Sequence, residues 1–272
     1  MLQSNKFVNR TPRYNILSED DKEQIYDASL EILQHTGVKV DHEEARSIFA
    51  GAGARVEEKM VYLPPHLVND AVDKAPKKVL VYNRHGDLAM RLGGTNSYFG
   101  SGTDVPRTLD EDGEIRQTVP EDIEKWAKVC DALENIDFSS PIGLLRKEKE
   151  NIQDILEARQ IMANTSKPVM FCSWDERGTK DIYEMASIAV GGKDQLKAKP
   201  YIMHYIEPVT PLSHSKEVMA QTIFGAENNL PTIYTPMPSA GAVSPMTFAG
   251  TIALGLAESL TGITLAQLVN EG

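Results

Sequence analysis

Aromatic rings and a few acids follow several short segments that have the composition of β-strands. The segments are rich in β-branched and aromatic residues and end at glycine, proline or polar residues. The side chains placed in this way are Tyr98, Phe99, Trp174, Tyr205, Glu207 and Tyr234. The face of an aromatic ring attracts a cation that has no exchangeable protons, by about 0.5 to 2 kcal/mol for each ring. The pattern therefore predicts a site for a quaternary ammonium group, although any single ring could equally serve ordinary packing.

The other reactive residues form no recognisable catalytic or metal-binding motif. The histidines include no HxH or HExxH pair, so no metal site is predicted. His204, inside a predicted strand, is interpreted as a core residue, with a ligand or base as the alternative. His214 is expected to begin a helix at the surface. Cys172 stands at a strand end, but no base partner is visible, which disfavours a nucleophile.

The strands belong to a repeated strand–helix unit. Predicted strands begin at 169, 201 and 232, each after a proline, at intervals of 32 and 31 residues. After the last strand, Ser244 is predicted to cap a long apolar helix whose glycines require close packing, which we expect to be on a sheet. This rhythm favours an α/β fold of the TIM (β/α)8 barrel type, with a doubly wound sheet as the alternative. The glycines at 93–94 and 100–102 lack the spacing of phosphate-binding loops, which weakens a nucleotide-binding interpretation.

The upstream elements are smaller and mixed. Residues 1–17 are expected to form an extended arm, and Ser18 with Asp21 predicts the start of a helix that runs to about His35. Short helices and strands, including a strand pair around Gly86, then predict an N-terminal α+β region over 1–95 and a partial barrel over 96–272. The first two barrel strands are expected at 97–106 and 136–145, with a hairpin at 109–118 and a helix at 151–163. Only about five of the eight βα units are accounted for, so the remaining strands are expected beyond residue 272.

Composition limits the classes of protein. The 272 residues carry a formal net charge of −11, which argues against a nucleic-acid surface. The two cysteines show no pairing pattern, which fits a reducing compartment. No apolar run is expected to reach transmembrane length and the N-terminus lacks a signal-peptide core, so a cytoplasmic protein without membrane partners is predicted.

Three stretches resemble one known family. TPMPSAGAVSPMTFAG at 235–250, SYFGSGTDVP at 97–106 and the helix region from Leu17 to Val40 look like the trimethylamine methyltransferase family. The resemblance covers essentially the whole chain, and family members are longer. It implies a TIM-barrel enzyme of methylamine metabolism, including methanogenesis, of which this chain is the N-terminal part.

The resemblance also implies a reaction and a partner. Such enzymes move a methyl group from a methylated amine to the cobalt of a corrinoid, a cobalamin-type cofactor carried by a separate protein. No cofactor is therefore expected on this chain, and a homo-oligomer is expected. The pyrrolysine of the trimethylamine branch would lie beyond residue 272, so its presence is not tested by this sequence. The aromatic segment ends, without an obvious acid or base pair, favour the quaternary-amine branch, with glycine betaine first. The alternatives are a trimethylamine:corrinoid methyltransferase and a non-catalytic protein that binds methylated ammonium compounds.

Overall fold

A computed structural model describes residues 14–146, 148–149 and 152–272. Most of the arm predicted for 1–17 lies outside these residues. The described residues form a mixed α/β structure with short strands. The helices are α1 (Glu19–Glu31), α2 (Glu43–Gly51), α3 (Pro65–Lys74), α4 (Pro120–Ala132), α5 (Gln153–Asn164), α6 (Glu176–Ala189), α7 (Lys193–Ala198), α8 (Lys216–Glu227) and α9 (Phe248–Val269). The strands are β1 (Val38–Val40), β2 (Arg55–Glu57), β3 (Met60–Tyr62), β4 (Val79–Tyr82), β5 (Leu88–Leu92), β6 (Thr108–Leu109), β7 (Ile115–Arg116), β8 (Val169–Phe171), β9 (Ile202–Ile206), β10 (Ser213–His214) and β11 (Thr232–Tyr234).

The described residues divide into two compact units, each built from segments that are distant in the chain. The first unit contains Lys77–Tyr205 and Asn229–Pro231. The second contains the described part of Thr11–Pro76 together with Ile206–Asn228 and Thr232–Gly272. The last residue of β9 therefore belongs to a different unit from the rest of that strand.

In the first unit, the successive predicted strands are parallel neighbours in chain order. Gly100 bridges to Phe138 and Ser139 bridges to Val169, both in parallel. β8 then pairs in parallel with β9. Parallel strands need a crossover connection, and α5 and α6 with α7 lie in the intervening chain. The described residues do not close a barrel, and the strands predicted at 97–106 and 136–145 consist only of isolated bridges.

Two hairpins in this unit are confirmed. β4 pairs with β5 and β6 with β7, both antiparallel. The second hairpin turns at Gly113, whose φ of +86° favours glycine. The apolar faces of α4, α5 and α6 supply buried residues to the core of the first unit, including Ile123, Ile161 and Ile182.

The second unit is built on a sheet of order β10–β1–β3–β2. β1 pairs in parallel with β10, which is far along the chain, and antiparallel with β3. The predicted start of α1 is confirmed, because Ser18 and Asp21 form a reciprocal capping box. The prediction for His214 was wrong: it lies in β10, fully buried, because pairing with β1 carries it into the interior.

The long helix α9 crosses the second unit. Its predicted N-cap was wrong by three residues: the hydroxyl of Thr247, not Ser244, accepts the N–H of Gly250 at 3.2 Å. Close packing at its glycines is confirmed, since a Cβ at position 262 would meet the ring of Tyr234. Its neighbours are mainly helices, α1, α3 and α8, rather than the expected sheet. By length and composition α9 could cross a membrane, contrary to the expectation that no apolar run is long enough, but half of its apolar stretch is buried, as in a core helix.

Candidate functional site

In the first unit, the chain that leaves β8 meets the first turn of α5. The carboxylate of Asp154 accepts the backbone N–H of Trp174 at 3.1 Å, just after the strand. A Cβ at position 178 would overlap this carboxylate, so only glycine allows the close approach. Asp175 caps α6 by accepting the N–H of Gly178 at 2.7 Å. The chain that follows β8 therefore lies against the carboxylates of Asp154 and Asp175.

The negative charges of two acids, Asp104 and Asp154, act on the buried carboxylate of Glu157; we call these three residues the carboxylate corner. Glu157 lies one turn after Asp154 on α5, and both side chains are only about 5% exposed. Burial raises the pKa of Glu157 to about 7; the N–H of Leu145, 2.7 Å away, opposes the shift, and the negative charges of Asp104 and Asp154 add to it. Burial likewise raises the pKa of Asp154. None of the described Lys, Arg or His residues forms an ion pair with Asp154 or Glu157.

The arrangement is suited to a positive charge. Asp104, exposed and with a left-handed φ of +58°, directs its carboxylate to the Cys172 thiol, which donates to it at 3.5 Å. Buried carboxylates without a counter-charge raise each other's pKa, and a nearby cation relieves this repulsion. Within the described ranges, no three His, Cys, Asp or Glu residues are grouped closely enough to hold a metal ion.

His204 lies beside this corner, in the core. It is fully buried, stacks on Phe171 with ring centroids 4.7 Å apart, and shares a hydrogen bond of 3.0 Å between Nε2 and the Ser173 hydroxyl. Burial lowers its pKa to about 3, so the ring is neutral at physiological pH. These contacts support the interpretation of His204 as a core residue.

The predicted aromatic residues of the first unit have different environments. Phe99 and Trp174 are 62% and 60% exposed, so their ring faces are open to a ligand. Tyr98 is half-buried, and its hydroxyl accepts the backbone N–H of Arg91 at 2.8 Å and donates to the Arg91 carbonyl at 3.3 Å. Tyr205 is half-buried within β9. Trp174 is the predicted residue that directly adjoins the carboxylate corner.

The other two predicted residues belong to the second unit. Glu207 is exposed and follows β9 directly. Tyr234 is half-buried in β11, where its hydroxyl and Nδ1 of His214 are hydrogen-bonded at 2.6 Å. Because the six predicted residues are divided between the two units, their assembly into a single site remains a prediction.

Sequence reasoning missed Asp104, Asp154 and Glu157. A signal for the last two was present in the predicted helix that begins near 151. Asp154, Glu157, Ala158 and Ile161 recur at helical spacing, and all four are buried on one face of α5. Two carboxylates on an otherwise apolar face are unusual enough to mark a functional site, because burying an unpaired charge is costly.

The sequence of this chain matches one protein family and several curated proteins. A family model described as trimethylamine methyltransferase (MTTB) matches residues 1–272. The glycine betaine methyltransferase of Desulfitobacterium hafniense (strain Y51) is 32% identical over 265 residues, which cover 96% of this chain and 55% of that protein. The trimethylamine methyltransferase MttB of D. hafniense (strain DSM 10664 / DCB-2) is 31% identical over 94% of this chain and 52% of its own length. MttB2 of Methanosarcina mazei is 33% identical over 95% of this chain and 54% of its own length, so the chain spans about half the length of these curated relatives.

Proposed function

This chain belongs to the trimethylamine methyltransferase family, and from that premise we propose that the full-length protein transfers a methyl group from a quaternary amine to the Co(I) of a corrinoid. Glycine betaine is the first substrate to test, because the match to the glycine betaine methyltransferase covers 96% of the chain. The corrinoid is a second substrate carried by a separate protein, and this chain binds no cofactor of its own. The family match over the whole chain carries the proposal.

The chemistry of the substrate fits the carboxylate corner. When the methyl group leaves a quaternary nitrogen, the C–N electron pair stays on nitrogen and the product is a neutral tertiary amine. No proton is needed to activate the leaving group. The protein then has mainly to bind the ammonium, orient it for in-line attack and exclude water. Asp104, Asp154 and Glu157 supply negative potential for this cation, and Trp174 and Phe99 supply open ring faces.

The full-length fold in this proposal is a (β/α)8 barrel, of which this chain supplies the first five units. The parallel order of the segments around Gly100, Phe138, β8 and β9 supports it, because a barrel places successive strands side by side. The proposal also includes a domain boundary at residue 95, a cytoplasmic location and a homo-oligomeric state. The proposed substrate residues also include Tyr98, Tyr205, Glu207 and Tyr234.

A second candidate substrate is trimethylamine, since relatives from several organisms are named trimethylamine methyltransferases. Trimethylamine is a poorer methyl donor without activation. Transfer of a methyl group from its neutral nitrogen would produce the dimethylamide anion, a strongly basic and therefore poor leaving group. The two substrates therefore place different demands on the site, and a direct comparison distinguishes them.

The test uses the full-length protein with free Co(I) cobalamin as methyl acceptor. We expect dimethylglycine to accumulate from glycine betaine, measured by NMR, with a matching change in the visible spectrum of cobalamin. Turnover of trimethylamine alone would identify the second candidate. Binding of glycine betaine by calorimetry without methyl transfer to cobalamin or to the cognate corrinoid protein would identify a non-catalytic binding protein.

A further inference from the structure

The carboxylate of Asp154 joins three elements of the first unit. It belongs to the first turn of α5, is 5% exposed, and accepts the backbone N–H of Trp174 through Oδ2 at 3.1 Å. We call the segment Ser173–Asp175, which connects β8 to α6, the β8–α6 turn. The first turn of α6 approaches the same carboxylate so closely that a Cβ at Gly178 would overlap it. Asp154 therefore holds the β8–α6 turn from the side of α5.

The other residues of the β8–α6 turn are held by further hydrogen bonds. The Ser173 hydroxyl shares hydrogen bonds with the Thr179 hydroxyl at 2.6 Å and with Nε2 of His204 at 3.0 Å. Asp175 caps α6 with its side chain. Trp174 itself is nevertheless 60% exposed. An open aromatic ring on a fixed backbone can contact a ligand with little loss of conformational entropy, which is the arrangement that a preorganised binding site requires.

A second aspartate holds the opposite end of β8. Asp131, in the last turn of α4, accepts the backbone N–H of Ser166 at 2.7 Å and the hydroxyl of Thr165 at 2.8 Å. The segment that leads from there into the strand, Thr165–Pro168, contains no aromatic residue. Ligands of parallel α/β folds bind at the carboxyl ends of the strands, where Trp174 lies. The two aspartates thus support one strand in the same way, but only Asp154 supports an open ring.

We propose that Asp154 is a positioning residue, which fixes the β8–α6 turn so that the ring of Trp174 lies against the quaternary ammonium of the substrate. This inference rests on the proposed function and uses residues of the first unit alone. The negative charge of Asp154 also attracts the ammonium, so the hydrogen bond has to be separated from the charge. Asp154→Asn and Asp154→Ala both remove the charge, but only Asp154→Asn keeps an oxygen that can accept the N–H of Trp174.

The experiment compares Asp154→Asn and Asp154→Ala in the full-length protein, each alone and combined with Trp174→Ala. Gly178→Ala is a further variant, because its added methyl group displaces the carboxylate of Asp154 and leaves the charge in place. Asp131→Ala is the matched control at the other end of β8. Two readouts are used: hydrogen exchange of a peptide covering 172–178, and the affinity for glycine betaine by calorimetric titration.

We expect Asp154→Ala to exchange faster than Asp154→Asn in the turn and to bind glycine betaine about fivefold more weakly, because the ring is no longer held at the cation. With Trp174→Ala also present, the two Asp154 variants should bind alike, since no ring is left to position. Gly178→Ala should exchange faster than the wild type and bind about fivefold more weakly. Asp131→Ala should lower the melting temperature and leave exchange of 172–178 and the affinity unchanged.

Three results would overturn the inference. Wild-type exchange in both Asp154→Ala and Gly178→Ala would show that the carboxylate does not hold the turn. Faster exchange with equal affinities of Asp154→Asn and Asp154→Ala would show a purely structural support. A difference between these two variants that persists with Trp174→Ala would show that Asp154 acts on the substrate without the ring.

Two further outcomes are also informative. If Asp154→Ala does not fold, Gly178→Ala decides, and wild-type affinity in that variant overturns the inference. If the wild-type protein neither binds glycine betaine nor transfers its methyl group, the proposed function fails, while the exchange readout still decides whether Asp154 holds the turn.

Discussion

Each unit contains one buried glutamate on a helix, and the two differ in their hydrogen-bond partners and in the charges around them. Glu157 on α5 receives one backbone N–H, and the charges of Asp104 and Asp154 oppose its ionisation. Glu258 on α9 receives two donors from a single turn, and no acid contributes to the shift in its pKa. Both side chains are 5% exposed or less.

The difference separates a carboxylate whose two oxygens are hydrogen-bonded within the protein from one whose ionisation is opposed by its neighbours. The oxygens of Glu258 both accept hydrogen bonds from the protein, so its desolvation is partly offset within the folded chain. Glu157 keeps an unfavourable interaction with its neighbours, which folding alone does not relieve. An added cation would relieve it. Unrelieved like charges in a buried corner are a common property of functional sites.

The largest expected effect is on stability as a function of pH. The pKa of Glu157 is about 7 in the folded protein, above its ordinary value of 4.5. Between these two pH values the folded state holds a proton that the unfolded state releases, so stability falls as pH rises through this window, by about 3 kcal/mol at most. Glu157→Gln removes this loss. The variant should therefore be more stable than the wild type at pH 8 and similar to it at pH 5, as measured by urea unfolding.

Glu111→Gln provides the control, because Glu111 is an exposed residue of the β6–β7 hairpin. Its stability difference from the wild type should be the same at both pH values. If the difference between Glu157→Gln and the wild type is likewise independent of pH, Glu157 is not the strained carboxylate described above.

A smaller effect is expected on substrate binding. Glu157→Gln removes one negative charge from the proposed ammonium site, which should weaken glycine betaine binding by about tenfold at pH 8. At pH 6 the wild-type side chain is itself protonated, so variant and wild type should bind alike. Calorimetric titration with glycine betaine at the two pH values measures the affinity of each variant. Glu258→Gln is the control and should bind like the wild type at both pH values. Equal affinity of Glu157→Gln and wild type at pH 8 would remove the carboxylate corner from the substrate site.

The local parts of the fold were predictable from the sequence, because their causes lie within a few residues. The Ser18–Asp21 capping box, the β4–β5 hairpin around Gly86 and the spacing of β8, β9 and β11 follow from cap, turn and strand chemistry. The pairing of β1 with β10 was not predictable in this way. Two- and three-residue strands carry too little periodicity to be recognised, and only distant pairing creates them. The burial of His214 was missed for the same reason.

The sequence indicated Trp174, just after β8, but not the carboxylates that adjoin it. Aromatic side chains near strand ends could be recognised because strand positions were correct to a few residues. The carboxylates of α5 could not be assigned to the end of β8, since that contact depends on how the helix packs and on the close approach at Gly178. Tyr98 shows a further limit: its type suggests a ring for a cation, but no sequence pattern shows that its hydroxyl bonds to β5.

The smallest expected effect on stability concerns Tyr98, an aromatic side chain to which the same contrast applies. Its hydroxyl is held by the Arg91 backbone, as Glu258 is held by its turn, whereas its ring is predicted to bind the ammonium. Tyr98→Phe should therefore lower the free energy of unfolding by about 1 kcal/mol and leave the affinity for glycine betaine nearly unchanged, because the ring face remains. Tyr98→Ala should lose about 5-fold to 30-fold in affinity. Calorimetry and a thermal melt of each full-length variant measure the two effects separately. An alanine variant that is less stable but binds like the wild type would make Tyr98 a support of β5 alone.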